Sequence, residues 1–290
     1  MKPPPFEYHA PDSLEEALDL LREHGDEARP LAGGQSLVPM MNFRLARPSV
    51  VIDLNQVPGL SELDAADGVV RCGAMVRERA AERSAVVHER APLLAAALPL
   101  IGHEAIRTRG TLGGSLAHAD PAAELPAVAL AAEAQLVARS AERGERVLGA
   151  DEFFAGFFTT ALEPDELLVE IRLPEVPAGS GVRFEEVARR QGDFAMVGVL
   201  AVLHTADGVI DDARLALIGV ADRAVRAREA EAALIGAKAD AGAFAEAAAT
   251  AARDLEPMSD LHGSSAYRKH VAERLVQRAL QGAAEAAGVR

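Results

Sequence analysis

The sequence predicts an α+β protein in two parts. Three observations carry this expectation. Helix-period and strand-like segments are interleaved from Phe6 to Leu173, a Pro/Gly-rich break follows at 174–181 (P-E-V-P-A-G-S-G), and the remainder orders its strands first and its helices second. The expected division is 1–176, itself split at about 57/58, and 177–290, with a small C-terminal three-stranded antiparallel sheet and a helical bundle.

Taken in order, Pro11-Asp12-Ser13 offers a helix cap, Glu15 and Glu16 suit a first turn, and Ala17, Leu18 and Leu21 form an apolar stripe that Gly25 ends. A glycine loop, Ala32-Gly33-Gly34-Gln35-Ser36, precedes a strand over 48–54 and a turn at Pro58-Gly59. A strand over 69–74 and an apolar helix over 92–101 lead to the stretch T-R-G-T-L-G-G-S-L-A-H-A-D-P-A-A-E-L-P, Thr108 to Pro126. A helix over 126–133 and a strand over 135–138 come next. The segment 151–162 concentrates phenylalanines, as a plug between layers or an apolar wall for a ring, and 167–173 alternates into a strand. Beyond the break, 182–188, 195–205 and 209–220 read as strands, the last two joined by Ala206-Asp207-Gly208. Helices are expected over 225–234, 241–255 and 264–287.

With 290 residues, 49% of them hydrophobic, the chain has material for a large core. Its 30 Lys+Arg against 44 Asp+Glu leave a net charge of −14. That balance disfavours nucleic acid and anionic membrane surfaces, so an anionic ligand must be held by local donors. The single cysteine, Cys72, excludes an intrachain disulfide, a Cys-rich zinc site and a four-cysteine iron–sulfur cluster held by this chain alone. No apolar run is long enough for an integral membrane span, and M-K-P-P-P-F carries no signal core, so a cytoplasmic protein is expected.

Two Gly-Gly-hydroxyl loops, at 32–36 and 111–115, are the most informative pair. Glycine permits sharp turns and close approach, and unpaired amides in such loops suit phosphate oxygens. Neither loop has the G-x-G-x-x-G or G-K-[ST] pattern. Asp120 is expected to cap a helix begun by Pro121, whereas Glu124 is the carboxylate expected to accept hydrogen bonds from ligand hydroxyls or ring N–H groups. His103 and His118 lack neighbours at zinc spacing and read as local hydrogen-bonding groups. Arg189 to Asp193 is placed at the crevice between the two parts.

The ordered runs A-G-G-Q-S-L-V-P-M-M-N-F-R-L-A-R-P, I-G-H-x-x-I-R-x-R-G-T-L-G-G-S-L-A-H-A-D-P-A-A-E-L-P, T-A-L-E-P-D-E-L-L-V-E-I-R-L-P and A-R-R-Q-G-D-F-A-M-V resemble the flavoprotein (medium) subunit of molybdenum hydroxylases. This is the family of aerobic carbon-monoxide dehydrogenase and of the FAD domain of xanthine dehydrogenase. The resemblance implies a two-subdomain FAD-binding domain of the PCMH type and a carbon-monoxide-dehydrogenase-flavoprotein-like C-terminal domain. It implies non-covalent FAD held by Leu31, Ala32, Gly33, Gly34, Gln35, Ser36 and Leu37 on one side. Thr111, Gly113, Gly114, Ser115, Ala119, Asp120 and Glu124 stand on the other, with Ile101, Leu162 and Leu168 as apolar contacts. No residue is assigned to acid/base catalysis or to a metal. Where relatives often carry a lysine, this chain has Glu185. The resemblance also implies a large subunit with the molybdenum cofactor and a small subunit with [2Fe–2S] clusters, as a dimer of heterotrimers. Electrons would pass through FAD to an external acceptor. Two other readings stay open: a stand-alone FAD oxidase with its own substrate site, for which only Tyr8 and Tyr267 could serve as tyrosines, and a non-catalytic assembly module.

Overall fold

A computed structural model describes residues 2–289. The first part comprises β1 (Glu7–His9), α1 (Leu14–His24), β2 (Ala28–Leu31), α2 (Leu37–Asn42) and β3 (Val50–Asp53). The strands form a parallel sheet in the order β1-β3-β2. Helix α1 starts as its residues dictate: the Ser13 hydroxyl accepts from the Glu16 amide, and Gly25, at φ +50°, ends it. Its Ala17, Leu18 and Leu21 cover the sheet and form a core with Val50, Ile52 and Leu54.

The second part runs through β4 (Leu63–Ala66), β5 (Val69–Gly73), α3 (Glu78–Glu82), α4 (Ala85–Arg90), α5 (Pro92–Ala97), α6 (Glu104–Arg109), α7 (Leu112–His118) and α8 (Glu124–Ala131). It continues with β6 (Gln135–Ser140), β7 (Gly144–Gly149), α9 (Ala150–Phe153), β8 (Phe154–Gly156), β9 (Thr159–Thr160) and β10 (Glu166–Pro174). A five-stranded sheet, β4-β5-β10-β6-β7, has β10 at its centre, antiparallel to β5 and β6. Leu167 of β10 belongs to the first core and Leu168 to the second, so this strand joins the two. The expected helix over 92–101 is shortened: Pro99 sits in a 3-10 turn, Leu98–Leu100, that follows α5.

The last part holds β11 (Gly181–Val187), β12 (Val197–Ala206), β13 (Val209–Ile218), β14 (Val225–Arg226), α10 (Arg228–Leu234), α11 (Ala241–Arg253) and α12 (Ser265–Ala286). The antiparallel sheet has four strands, not three. Val225 and Arg226, expected in a helix, pair with Leu217 and Ala216, and α10 begins two residues later. One face of this sheet packs on α11 and α12; the other places Leu200, Val202, Ala216 and Ile218 in the core shared with α5 and α8. Burial on both faces explains the unbroken apolar run of β12. No described helix is long and apolar enough to cross a membrane.

Candidate functional site

The two glycine loops meet. A Cβ on Gly33 would overlap the carbonyl oxygen of Arg109 and the Cα of Gly110, and one on Gly113 would overlap Ala74. Both glycines therefore serve contact between chain segments before any contact with a ligand. Together the loops wall a cavity of about 440 Å3. It lies between the parallel sheet, the five-stranded sheet and the start of the last part.

The loops differ in character. Thr111–Ser115 is the first turn of a helix rather than an open loop. Thr111 is the N-cap of α7, its hydroxyl accepting from the Gly114 amide at 3.1 Å, while the amides of Leu112, Gly113 and Ser115 donate to Val76, Ala74 and Thr111 carbonyls. By contrast, the amides of Gly33, Gly34, Gln35, Ser36 and Leu37 have no acceptor among the described residues, and Gly34 takes the left-handed conformation at φ +73°. Five consecutive free amides form an edge of partial positive charge without a charged side chain. Arg29, the arginine in the cavity wall, directs Nη1 to the carbonyls of Asp26 and Ala28.

The carboxyls lie deeper. Glu124 opens α8 and is 5% exposed. Burial, reinforced by Glu186, Glu78 and Asp120, pushes its carboxyl up to about 8. Glu78 opens α3, is 3% exposed, and is likewise pushed up to about 8 by burial, with Arg107 opposing. Glu166 is held below the usual carboxylate range: burial is outweighed by Arg146, bound at 2.6 Å, and by the Glu163 amide. Asp120 does not cap α8. Its Oδ1 accepts from the Ala122 amide in a local turn, and Ala123 occupies the N-cap position. Pro121 therefore precedes the helix instead of starting it, and Asp120 and Glu124 share no helical face.

The apolar wall includes Ile101, Leu162, Leu167, Leu168 and Met75. The phenylalanine-rich segment divides: Phe153 and Phe154 are buried edge to face, whereas Phe158 lines the cavity beside His118, ring centroids 5.1 Å apart. Burial lowers the pKa of His118, so its ring is neutral at pH 7.

Of the residues that the resemblance implies as FAD contacts, all line this cavity except two, whereas His103 and the segment Arg189 to Asp193 lie outside its lining. Leu31 is engaged in β2 opposite Asp53, and Ala119 ends α7 in the left-handed conformation. Sequence reasoning missed Glu78; Phe158 lay in the segment read as a plug or an apolar wall, and Phe194 in the run A-R-R-Q-G-D-F-A-M-V, without either being named as a lining residue. That segment and that run were the usable signals for the two phenylalanines. Glu78 gave none, because it reaches the cavity only through its approach to Gly110 in the fold. Glu185, at the lysine position, pairs with Arg183 and Arg278 and does not line the cavity.

Comparison with known proteins agrees with this architecture. The family described as the FAD binding domain in molybdopterin dehydrogenase matches residues 4–176, and the CO dehydrogenase flavoprotein C-terminal domain matches residues 182–283. The chain is 42% identical over 281 residues to the alpha subunit of the 6-hydroxypseudooxynicotine dehydrogenase complex of Paenarthrobacter nicotinovorans, covering 97% of this chain and 95% of the relative. It is 40% identical over 283 residues to the carbon monoxide dehydrogenase medium chain of Hydrogenophaga pseudoflava, covering 98% of each. Among solved structures, carbon monoxide dehydrogenase from Hydrogenophaga pseudoflava superposes with a TM-score of 0.96 at 42% identity over 99% of each chain. Quinoline 2-oxidoreductase from Pseudomonas putida 86 superposes with a TM-score of 0.94 at 41% identity, again over 99% of each chain. A helix-and-strand fold shared end to end, and both domain families in order, show that the chain belongs to the FAD-binding medium subunits of the molybdenum hydroxylases, flavoprotein components of oxidoreductase complexes.

Proposed function

We propose that the chain is the electron-transferring flavin subunit of a heteromeric molybdenum hydroxylase, with the cavity between its two glycine loops as the FAD site. Its units are an FAD-binding part, 1–176, and a C-terminal part, 177–290. Its partners are a large subunit with the molybdenum cofactor and a small subunit with [2Fe–2S] clusters, assembled as a dimer of heterotrimers in the cytoplasm. The observation that carries the site is the run of free amides at Gly33–Leu37 beside an apolar cavity with buried carboxyls.

The residues present fit the dinucleotide. Five unpartnered amides suit its diphosphate, Glu124 suits a hydroxyl or ring N–H, and Ile101, Leu162, Leu168 and Phe158 offer apolar surface to a ring system. Thr111, Gly113, Gly114 and Ser115 act mainly by holding the second wall rigid, since three of these four amides and the Thr111 hydroxyl are already engaged. When bound, FAD supplies the redox chemistry by which electrons arriving from the partner's iron–sulfur clusters leave for an external acceptor. This chain binds, orients and shields it. The neutral His118 beside Phe158 adds a polar group to the cavity wall without adding charge.

The test is cofactor analysis of the native complex purified through this chain. FAD with molybdenum and iron in the same assembly is expected. An assembly containing FAD but neither metal would overturn the assignment.

A further inference from the structure

Glu78 is a buried acid that the proposed function does not use. Its backbone is fixed by an amide that donates to the Gly110 carbonyl at 3.0 Å. Its carboxyl fills the space a side chain on Gly110 would occupy. Gly110 in turn packs against Gly33, the first residue of the free-amide run. The carboxyl thus sits behind the junction of the two loops and in the wall of the same cavity. Its Oε2 is buried and has no hydrogen-bond partner among the described residues.

The surrounding charges do not satisfy it. Arg107 of α6 is the cation whose charge acts on it, but it spends Nε and Nη2 on Glu82 at 2.9 and 3.1 Å, and Nη1 on the Ile101 carbonyl at 2.8 Å. Also on α6, Glu104 pairs with Arg79 and Arg83, and Arg109 is exposed. On α4, His88 bonds the Glu82 carbonyl. Across the cavity stand acids: Glu124 of α8, with Asp120 and with Glu186 of β11 behind it. Glu186 also has an unpartnered Oε2. An ionised Glu78 would be a buried charge facing other carboxyls, and it would repel a diphosphate held on the adjacent amides.

We propose that Glu78 is a further cofactor-binding residue, one that keeps a proton on Oε2 and donates it as a hydrogen bond to the anionic diphosphate of FAD. The inference rests on the FAD reading of the cavity and adds a proton to it: above the pH at which the free carboxyl ionises, FAD binding must take up one proton. Burial, which pushes Glu78 up to about 8, places that onset in a measurable range.

The experiment titrates the flavin-free full chain with FAD between pH 6.5 and 9, following flavin fluorescence. Affinity is expected to be level below about pH 8 and to fall above it, Glu78 contributing up to about tenfold per pH unit. Glu78→Gln donates without titrating, so its profile is expected to lose that share of the fall. Glu124→Gln is expected to keep it. Glu78→Leu, which cannot donate, is expected to bind about tenfold more weakly at pH 7. Calorimetry at pH 8.5 in two buffers of different ionisation enthalpy is expected to show less proton uptake for Glu78→Gln than for the parent. Superimposable profiles for the parent and Glu78→Gln, or unchanged affinity in Glu78→Leu, would overturn the role of Glu78 while leaving the FAD site in place. A parent chain that takes up no FAD at any pH would overturn the site and the proton together.

Discussion

A single missing methyl group joins the two loops. Because Gly33 rests on the Arg109 carbonyl and on Gly110, Gly33→Ala is expected to push the amide run away from the end of α6. The cost is about 1–3 kcal/mol of overpacking, and it should appear as both a lower unfolding temperature and lost FAD. Gly114 acts differently: its added Cβ would strike the Thr111 hydroxyl, so Gly114→Val is expected to damage the α7 cap first and flavin retention through it. Thr111→Val removes the same cap bond more gently and should cost about 1 kcal/mol, read as a shift in the denaturant midpoint. The sequence pointed to these glycines through two Gly-Gly-hydroxyl loops taken together, since a single glycine pair marks any ordinary turn. It did not show which glycine touches a ligand and which touches backbone, since that depends on residues some 75 positions away. Cys72 illustrates the converse. Its place in a buried strand was readable from the alternation of 69–74, and burial pushes its thiol up to about 12, which leaves it unreactive.

At the level of elements, long periodic segments were legible and short ones were not. Helix α1, strands β12 and β13 and helices α11 and α12 follow their apolar patterns closely. Helices α3, α4 and α6, of six residues or fewer, were hidden, since one or two turns give periodicity too little length to register, and of the short pieces between Glu78 and Arg109 only the apolar α5 was read. Strand β14 was misread for a related reason. Two residues carry no pattern, and Arg226 pairs there because Glu231 binds it at 2.6 Å and also accepts from the Leu215 amide at 2.7 Å. Glu231→Ala is expected to strand a buried guanidinium and an amide and to cost about 3–5 kcal/mol in chemical denaturation. The phenylalanine segment shows both anticipated roles in one stretch. Phe153→Ala, which empties a fully buried site, should lose about 3–5 kcal/mol, whereas Phe158→Ala should spare stability and weaken FAD retention.

For the whole molecule, the buried acids set a pH profile. Glu78 and Glu124 have folded pKa values near 8 against an ordinary carboxylate value of 4.5, so the folded chain binds more protons than the unfolded one between those limits. Their contribution is complete below about pH 4.5 and is lost as pH rises to about 8. Asp260, held down to about 2 chiefly by Arg268, works in the opposite sense, lending stability above pH 4 that is lost on acidification. The flavin-free chain is therefore expected to be most stable near pH 5. Thermal melts should show its midpoint falling toward pH 8, and the Glu78→Gln, Glu124→Gln double variant should flatten that fall. The central position of β10 carries a consequence for biosynthesis. The loops at 32–37 and 111–115 leave the ribosome early, yet the sheet that holds them together lacks its middle strand until Pro174 is made. Flavin loading thus has a clock set by translation: nascent chains arrested before β10 should be colourless, and those released just beyond it should be the earliest able to turn yellow.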